Sequence, residues 1–142
     1  MKTDFIAKAE VSIHSTPGEV WDALINPEKI KLYMFDADVK SDFKKGSPIV
    51  FTGEWDGNPF EEKGSILDVQ PERLLKYNSY NEQSGKPDLA ENYHTISIEL
   101  TRKGENVLVV LTQDNNDTEE MQEHSSQNWD MMLEKLKQVV EK

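Results

Sequence analysis

The sequence predicts an α+β fold in which a curved antiparallel sheet of about six or seven strands wraps around a long C-terminal helix. Three observations predict it. From Asp36 to Thr112, apolar residues recur at every second position in successive runs joined by short turns, and strands joined that way pair antiparallel. Helical periodicity is confined to two short segments after the first strand and one long terminal segment, so helices are segregated from strands instead of alternating with them. The terminal segment, Asp117 to Lys142, places Met121, Ser125, Asn128, Trp129, Met132, Leu133, Leu136, Val139 and Val140 at three- and four-residue spacing, on one face of a helix. An apolar face of that length needs a partner, and a helix lying across a sheet encloses a pocket.

The elements follow in order. Phe5 to Ile13 alternates, with Phe5, Ala7, Ala9, Val11 and Ile13 on one side of a strand. Thr16 is an N-cap, Pro17 suits the first helical position and Glu19 completes a capping box; Val20, Trp21, Leu24 and Ile25 form the buried stripe. Asn26-Pro27 stops this helix and starts a second, Pro27 to Tyr33, with Ile30 and Tyr33 inward. Ala37 to Lys40 is a weak strand. Pro48 to Trp55 is a stronger one with Ile49, Phe51 and Trp55 on one side, turning at Asp56-Gly57-Asn58. Phe60 to Val69 returns, but adjacent Ile66 and Leu67 leave its facing open. Leu74 to Tyr80 follows. Asn81 to Asn92 is a polar loop long enough to serve as a lid. Tyr93 to Leu100 alternates cleanly, Lys103 to Asn106 turns, and Val107 to Thr112 is β-branched. Asp117 with Glu120 makes a capping-box-like start for the last helix, whose acids lie early and lysines late, as the helix dipole favours.

Composition narrows the function classes. The 142 residues suit one domain, 1–142, with 36% hydrophobic and 30% charged residues. No run approaches the length of a membrane span, and the N-terminus lacks a secretory pattern, so a cytoplasmic location is expected. The absence of cysteine excludes disulfides and thiolate sites. A net charge of −11, with Lys44-Lys45 and Arg102-Lys103 only as pairs, disfavours nucleic acid and anionic membrane as partners. His14, His94 and His124 share no metal-ligand spacing. Asp114-Asn115-Asn116-Asp117 lacks the glycine of a calcium loop and reads as strand exit plus helix cap. No glycine-rich phosphate loop is present. Neither metal nor cofactor is expected.

Several motifs carry a family resemblance. Thr16-Pro17-Gly18-Glu19-Val20-Trp21-Asp22-Ala23-Leu24, Asn26-Pro27-Glu28-Lys29-Ile30, Asp42-Phe43-Lys44-Lys45-Gly46, Gln70-Pro71-Glu72-Arg73-Leu74-Leu75-Lys76-Tyr77 and Asn128-Trp129-Asp130-Met131-Met132-Leu133-Glu134-Lys135-Leu136 occur in order along almost the whole chain. Together with the element order they resemble the helix-grip fold of the START-like (SRPBCC) superfamily. The branch they resemble is the activator of the ninety-kilodalton heat-shock chaperone ATPase homologue family. The chain departs from that branch at Tyr33, Ser47 and Asn128, where Trp, Gly and Gly are usual. The resemblance implies a START-like domain that grips an apolar ligand between sheet and helix. Lipid-transfer domains, polyketide cyclases and chaperone cofactors share this fold, so function must be argued from the site.

The expected pocket lining is Phe35, Phe51, Trp55, Tyr77, His94, Ile96, Met121, Trp129 and Met132. Aromatic rings supply apolar area, and methionine reshapes around irregular guests. Taken singly, each residue is equally at home in ordinary core packing. His94 reads first as a hydrogen-bonded strand histidine and second as a pocket acid or base, because the sequence places no carboxylate beside it. The leading expectation is non-catalytic binding of a small hydrophobic or aromatic molecule, lipid included. The alternatives are a chaperone-binding module and a polyketide cyclase or dehydratase using His94 or a tyrosine.

Overall fold

The structure, a computed structural model, describes residues 5–34, 36–55, 57–81 and 85–141, with the backbone alone at Trp55. The elements run β1 (Phe5–Ile13), α1 (Pro17–Ile25), α2 (Pro27–Tyr33), β2 (Asp38–Lys40), β3 (Pro48–Trp55), β4 (Asn58–Gln70), β5 (Leu74–Asn81), a 3-10 turn (Ala90–Asn92), β6 (His94–Lys103), β7 (Asn106–Asn116) and α3 (Glu119–Glu141). The strands form one seven-stranded antiparallel sheet in the order β1-β7-β6-β5-β4-β3-β2. Its inner face packs against α3, α1 and α2 through Ile13, Ile49, Ile66, Leu111, Met132, Leu133 and Leu136, all nearly inaccessible to solvent. This is the helix-grip arrangement expected from the sequence.

The short helices form where their caps dictate. The Thr16 hydroxyl accepts the Glu19 amide at 3.2 Å, with Pro17 at the first position. Asn26 serves both helices: its N–H donates to the Asp22 carbonyl at the end of α1, and its Oδ1 accepts from the Glu28 amide at the start of α2. Tyr33 closes the pair by donating its hydroxyl to the Ala23 carbonyl at 2.7 Å.

The structure corrects three expectations and settles a facing that the sequence left open. The Asp56 turn position lies outside the described residues, as do 82–84 of the expected lid and Lys142. First, α3 is capped by Thr118, whose hydroxyl accepts the Met121 amide at 3.1 Å; the Asp117 carboxylate pairs with Lys86 instead. Second, β6 and β7 extend further than their apolar runs, because the two-residue turn Gly104-Glu105 (Gly104 φ +64°) keeps Lys103 and Asn106 in register. Third, Phe5 is 38% exposed, because the register shifts between Phe5 and Ala7. There β7 spends three residues on two of β1 and carries Asn115 at φ +61°. Fourth, a bulge settles the facing of β4: Ile66 pairs with Tyr77 but Asp68 with Lys76, so Leu67 is the extra residue. Ile66 and Val69 thereby both reach the core although they lie three positions apart, an odd step that would otherwise put them on opposite faces.

Edge strand β1 is covered by polar side chains of α3. Several main-chain groups that β1 turns away from β7 are bonded by that helix: Gln122 Nε2 donates to the Ile6 carbonyl (2.7 Å) and the Ser126 hydroxyl accepts the Lys8 amide (3.2 Å). Further along, Lys137 Nζ donates to the Ser12 carbonyl (2.8 Å) and Glu141 accepts the His14 amide (2.8 Å). An open strand edge invites pairing with another chain, and a covering helix removes that hazard. No described helix is long and apolar enough to cross a membrane.

Candidate ligand pocket

Between the inner face of the sheet and the middle of α3 lies a cavity of about 210 Å³. Its walls are set by strand alternation. The cross-strand pairs Phe51 with Glu62, Tyr77 with Ile96, Ser79 with His94 and Ile96 with Gln113 all point inward, so β3 to β7 each contribute. The helix supplies Ser125, Asn128, Trp129 and Met132, one face of α3, and Met34 and Ala37 close the side toward α2. A smaller apolar void of about 20 Å³ lies deeper, sharing Met34, Phe51, Tyr77 and Met132 with the main cavity.

One wall is aromatic and the other polar. The Phe51 and Tyr77 rings lie 5.9 Å apart, tilted by 39°. Phe60 reaches the cavity over Gly53: a Cβ at Gly53 would stand 2.9 Å from the Phe60 ring. Trp129 is held by its indole N–H, which donates to the Gln113 side-chain oxygen. The His94 ring places Nδ1 2.8 Å from the Asp114 carbonyl, and the Asp114 carboxylate accepts the Thr95 amide at 2.6 Å. A carbonyl only accepts, so the Nδ1 facing it carries a proton. Asn115 and Asn116 brace the same corner. Asn115 donates to the Glu91 and Tyr93 carbonyls, and Asn116 donates to the Phe5 carbonyl while accepting from Ser125. The stretch read as strand exit plus helix cap is in fact the buried polar frame of the pocket's end.

Glu62 is the residue that sequence reasoning missed. Burial pushes its carboxyl above the usual range, and nearby His94 opposes that shift. Burial likewise raises the Tyr77 phenol, with Glu62 adding to the effect, and raises the Tyr33 phenol. Counting inward positions back from Ile66, through Gly64, finds Glu62 and Phe60 in phase; the unresolved facing of β4 hid that signal. A carboxylate thus does stand in His94's cavity, contrary to the sequence expectation.

Of the expected lining residues, Phe51, Tyr77, His94, Ile96, Trp129 and Met132 come together around the cavity. Phe35 and the Trp55 side chain lie outside the described residues. Met121 does not line the cavity and is 48% exposed. Its stripe is the right one, but it sits eight residues before Trp129, roughly 12 Å along the helix axis and past the cavity's end. Nor do residues 85–92 line the cavity as the expected entrance loop would. They are tied to the opposite face of the sheet, where Tyr80 stacks on Tyr93 at 5.3 Å and Asp88 receives Lys63 (2.7 Å) and the Tyr93 hydroxyl (2.6 Å). These bonds hold the Asp88 carboxyl below the usual range. Among the described residues no cluster of acids and histidines has the geometry of a metal site.

The family of Activator of Hsp90 ATPase homolog 1-like proteins matches residues 14–141. The chain belongs to that family. Among solved structures of similar proteins, ChR145 from Cytophaga hutchinsonii is 48% identical, covers 97% of this chain and 94% of its own, and superposes with a TM-score of 0.84. CalU16 from Micromonospora echinospora (24% identity, 92% and 73% covered, TM-score 0.70) shares the fold. So does the Aha1 dimer from Colwellia psychrerythraea (18% identity, 96% of each chain, TM-score 0.72). No curated protein matches the sequence. Asn128 on α3 lines the cavity.

Proposed function

We propose that this protein binds a small aromatic or apolar molecule in the cavity between sheet and α3, without transforming it. The observation that carries the reading is the cavity itself: about 210 Å³, walled by aromatic and thioether side chains, with a few polar groups on one side. That combination is characteristic of small-molecule sites, where apolar burial supplies affinity and sparse polar groups fix orientation. Its size narrows the ligand. A cavity of about 150 Å³ takes up benzene, so the present one suits a substituted single ring better than a long lipid chain. Met34 and Met132, between the main cavity and the deeper void, give the site room to adapt.

Titration with substituted benzenes, indole and short-chain lipids tests this, read by Trp fluorescence and thermal melting. Trp129 lines the site, so a bound ring is expected to change its emission and raise the melting temperature. Recovery of the probe unchanged separates binding from turnover. If no probe moves either signal, and a crystal structure shows the cavity collapsed, the reading fails. The family name supports a second reading, docking to a ninety-kilodalton heat-shock chaperone; co-purification with that chaperone distinguishes the two.

A further inference from the structure

The Glu62 side chain is half-buried in the cavity wall, where its carboxylate makes no hydrogen bond or salt bridge with any described residue. Leaving an ionisable group without partners in a low-dielectric site costs free energy, and a counter-ion recovers it. The other groups that face the cavity fix which counter-ion fits. No lysine or arginine lines it, so an anionic guest finds no opposite charge. Its polar groups are mixed: the Asn128 and Gln113 amides and the Tyr77 hydroxyl can donate, the Glu62 oxygens accept, one His94 nitrogen is committed to the Asp114 carbonyl, and Glu62 is the one acid among the lining residues. The Ser79 hydroxyl beside them adapts to either role. The charge that the lining favours in a guest is therefore set by Glu62. The rings of Phe51, Phe60, Tyr77 and Trp129 turn toward the same space, and aromatic faces attract cations. A net charge of −11 over the whole chain draws cations toward it.

We propose that the occupant is a small protonated amine carrying an aromatic ring, with its ammonium group on Glu62 and His94 and its ring against Trp129 and Tyr77. This rests on the binding reading above and makes Glu62 the residue that sets ligand class. A primary ammonium has three N–H donors, enough to serve both Glu62 and His94. One ring with a two-carbon arm is of the size that about 210 Å³ admits.

Three probes of nearly equal shape separate charge from shape: phenethylamine, the neutral 2-phenylethanol and the anionic phenylacetate. Isothermal titration near neutral pH is expected to show phenethylamine binding about tenfold or more tighter than 2-phenylethanol, since charge-assisted hydrogen bonds are the stronger kind. Phenylacetate is expected to bind weakest. Glu62→Gln should erase the preference, bringing amine and alcohol within about twofold of each other. The proposal is overturned if the wild-type protein binds 2-phenylethanol or phenylacetate as tightly as phenethylamine, a result that leaves the binding reading intact. Retention of the full amine preference by Glu62→Gln also overturns it. If none of the three binds and the wider probe panel is silent too, the binding reading falls and this proposal with it.

Discussion

Glu62 on β4 and His94 on β6 reach one cavity from either side of β5, and the histidine partly offsets the burial that disfavours the ionised acid. The sign of the consequence follows from the raised pKa. Below the ordinary carboxylate range the acid is neutral in folded and unfolded chains alike, and burial costs little. As pH rises through the folded-state pKa, the folded chain holds a proton that the unfolded chain has released, so stability falls. Glu62→Gln removes this liability. The variant is expected to melt higher than wild type at pH 8, with the difference shrinking toward zero near pH 4. A variant that melts lower at pH 8 would show that the charge is compensated in the folded protein.

Met132 is buried and lines both the main cavity and the deeper void. Truncation to alanine joins the two spaces. The expected loss is about 2–5 kcal/mol in urea unfolding, the usual range for removing a large buried side chain. The same variant should gain affinity for two-ring probes such as naphthalene relative to benzene. Unchanged selectivity would mean that the helix collapses into the space.

Gly64 and Gly18 form a contrasting pair. A Cβ at Gly64 would lie 1.8 Å from the Asn78 carbonyl oxygen, which is backbone and cannot swing aside. The Ser65 amide beside it bonds the Asn78 side chain at 2.7 Å, so the two strands cannot separate there without losing that bond. Gly64→Ala is expected to cost about 3 kcal/mol or more. At Gly18, in the first turn of α1, nothing lies within 4 Å of an added Cβ. Gly18→Ala should stabilise by about 0.4–1 kcal/mol, chiefly by restricting the unfolded chain. Chemical denaturation of both variants checks the pair, and equal effects would contradict the local geometry.

The fold was legible because its signals are periodic and its helix caps are local. Thr16-Pro17 and Asn26-Pro27 mark both short helices, and the Trp129, Met132, Leu133 and Leu136 stripe marks the long one. The pocket's floor was legible for the same reason: Phe51, Tyr77 and Ile96 lie in the phase of their strands. What failed depends on register between strands. The bulge at Leu67 exists only in the pairing of β4 with β5, and without it the inward turn of Glu62 and Phe60 is invisible. Met121 failed for a related reason: helical periodicity gives the face but not where along it the cavity ends. The Asn115–Asn116 corner joins Phe5, Tyr93 and Ser125, residues distant in sequence that only the folded sheet brings together.

The cover that α3 gives to β1 makes a local prediction. The Lys8 amide points away from β7 and is bonded by the Ser126 hydroxyl alone, while Val109 in β7 is buried within the sheet opposite Val11. A net hydrogen bond contributes about 1 kcal/mol, so Ser126→Ala should speed hydrogen exchange at Lys8 by about fivefold. Exchange at Val109 requires the sheet to open and should follow global stability, falling in protection only by the small loss seen in melting. Adding Gln122→Ala frees the Ile6 carbonyl as well. The first two turns of α3 then hold to the edge through fewer bonds, and the Lys8 effect should grow while Leu136, in the apolar half of the helix, stays protected. Uniform acceleration at Lys8, Val109 and Leu136 would mean that helix and strand open only together, as one cooperative unit.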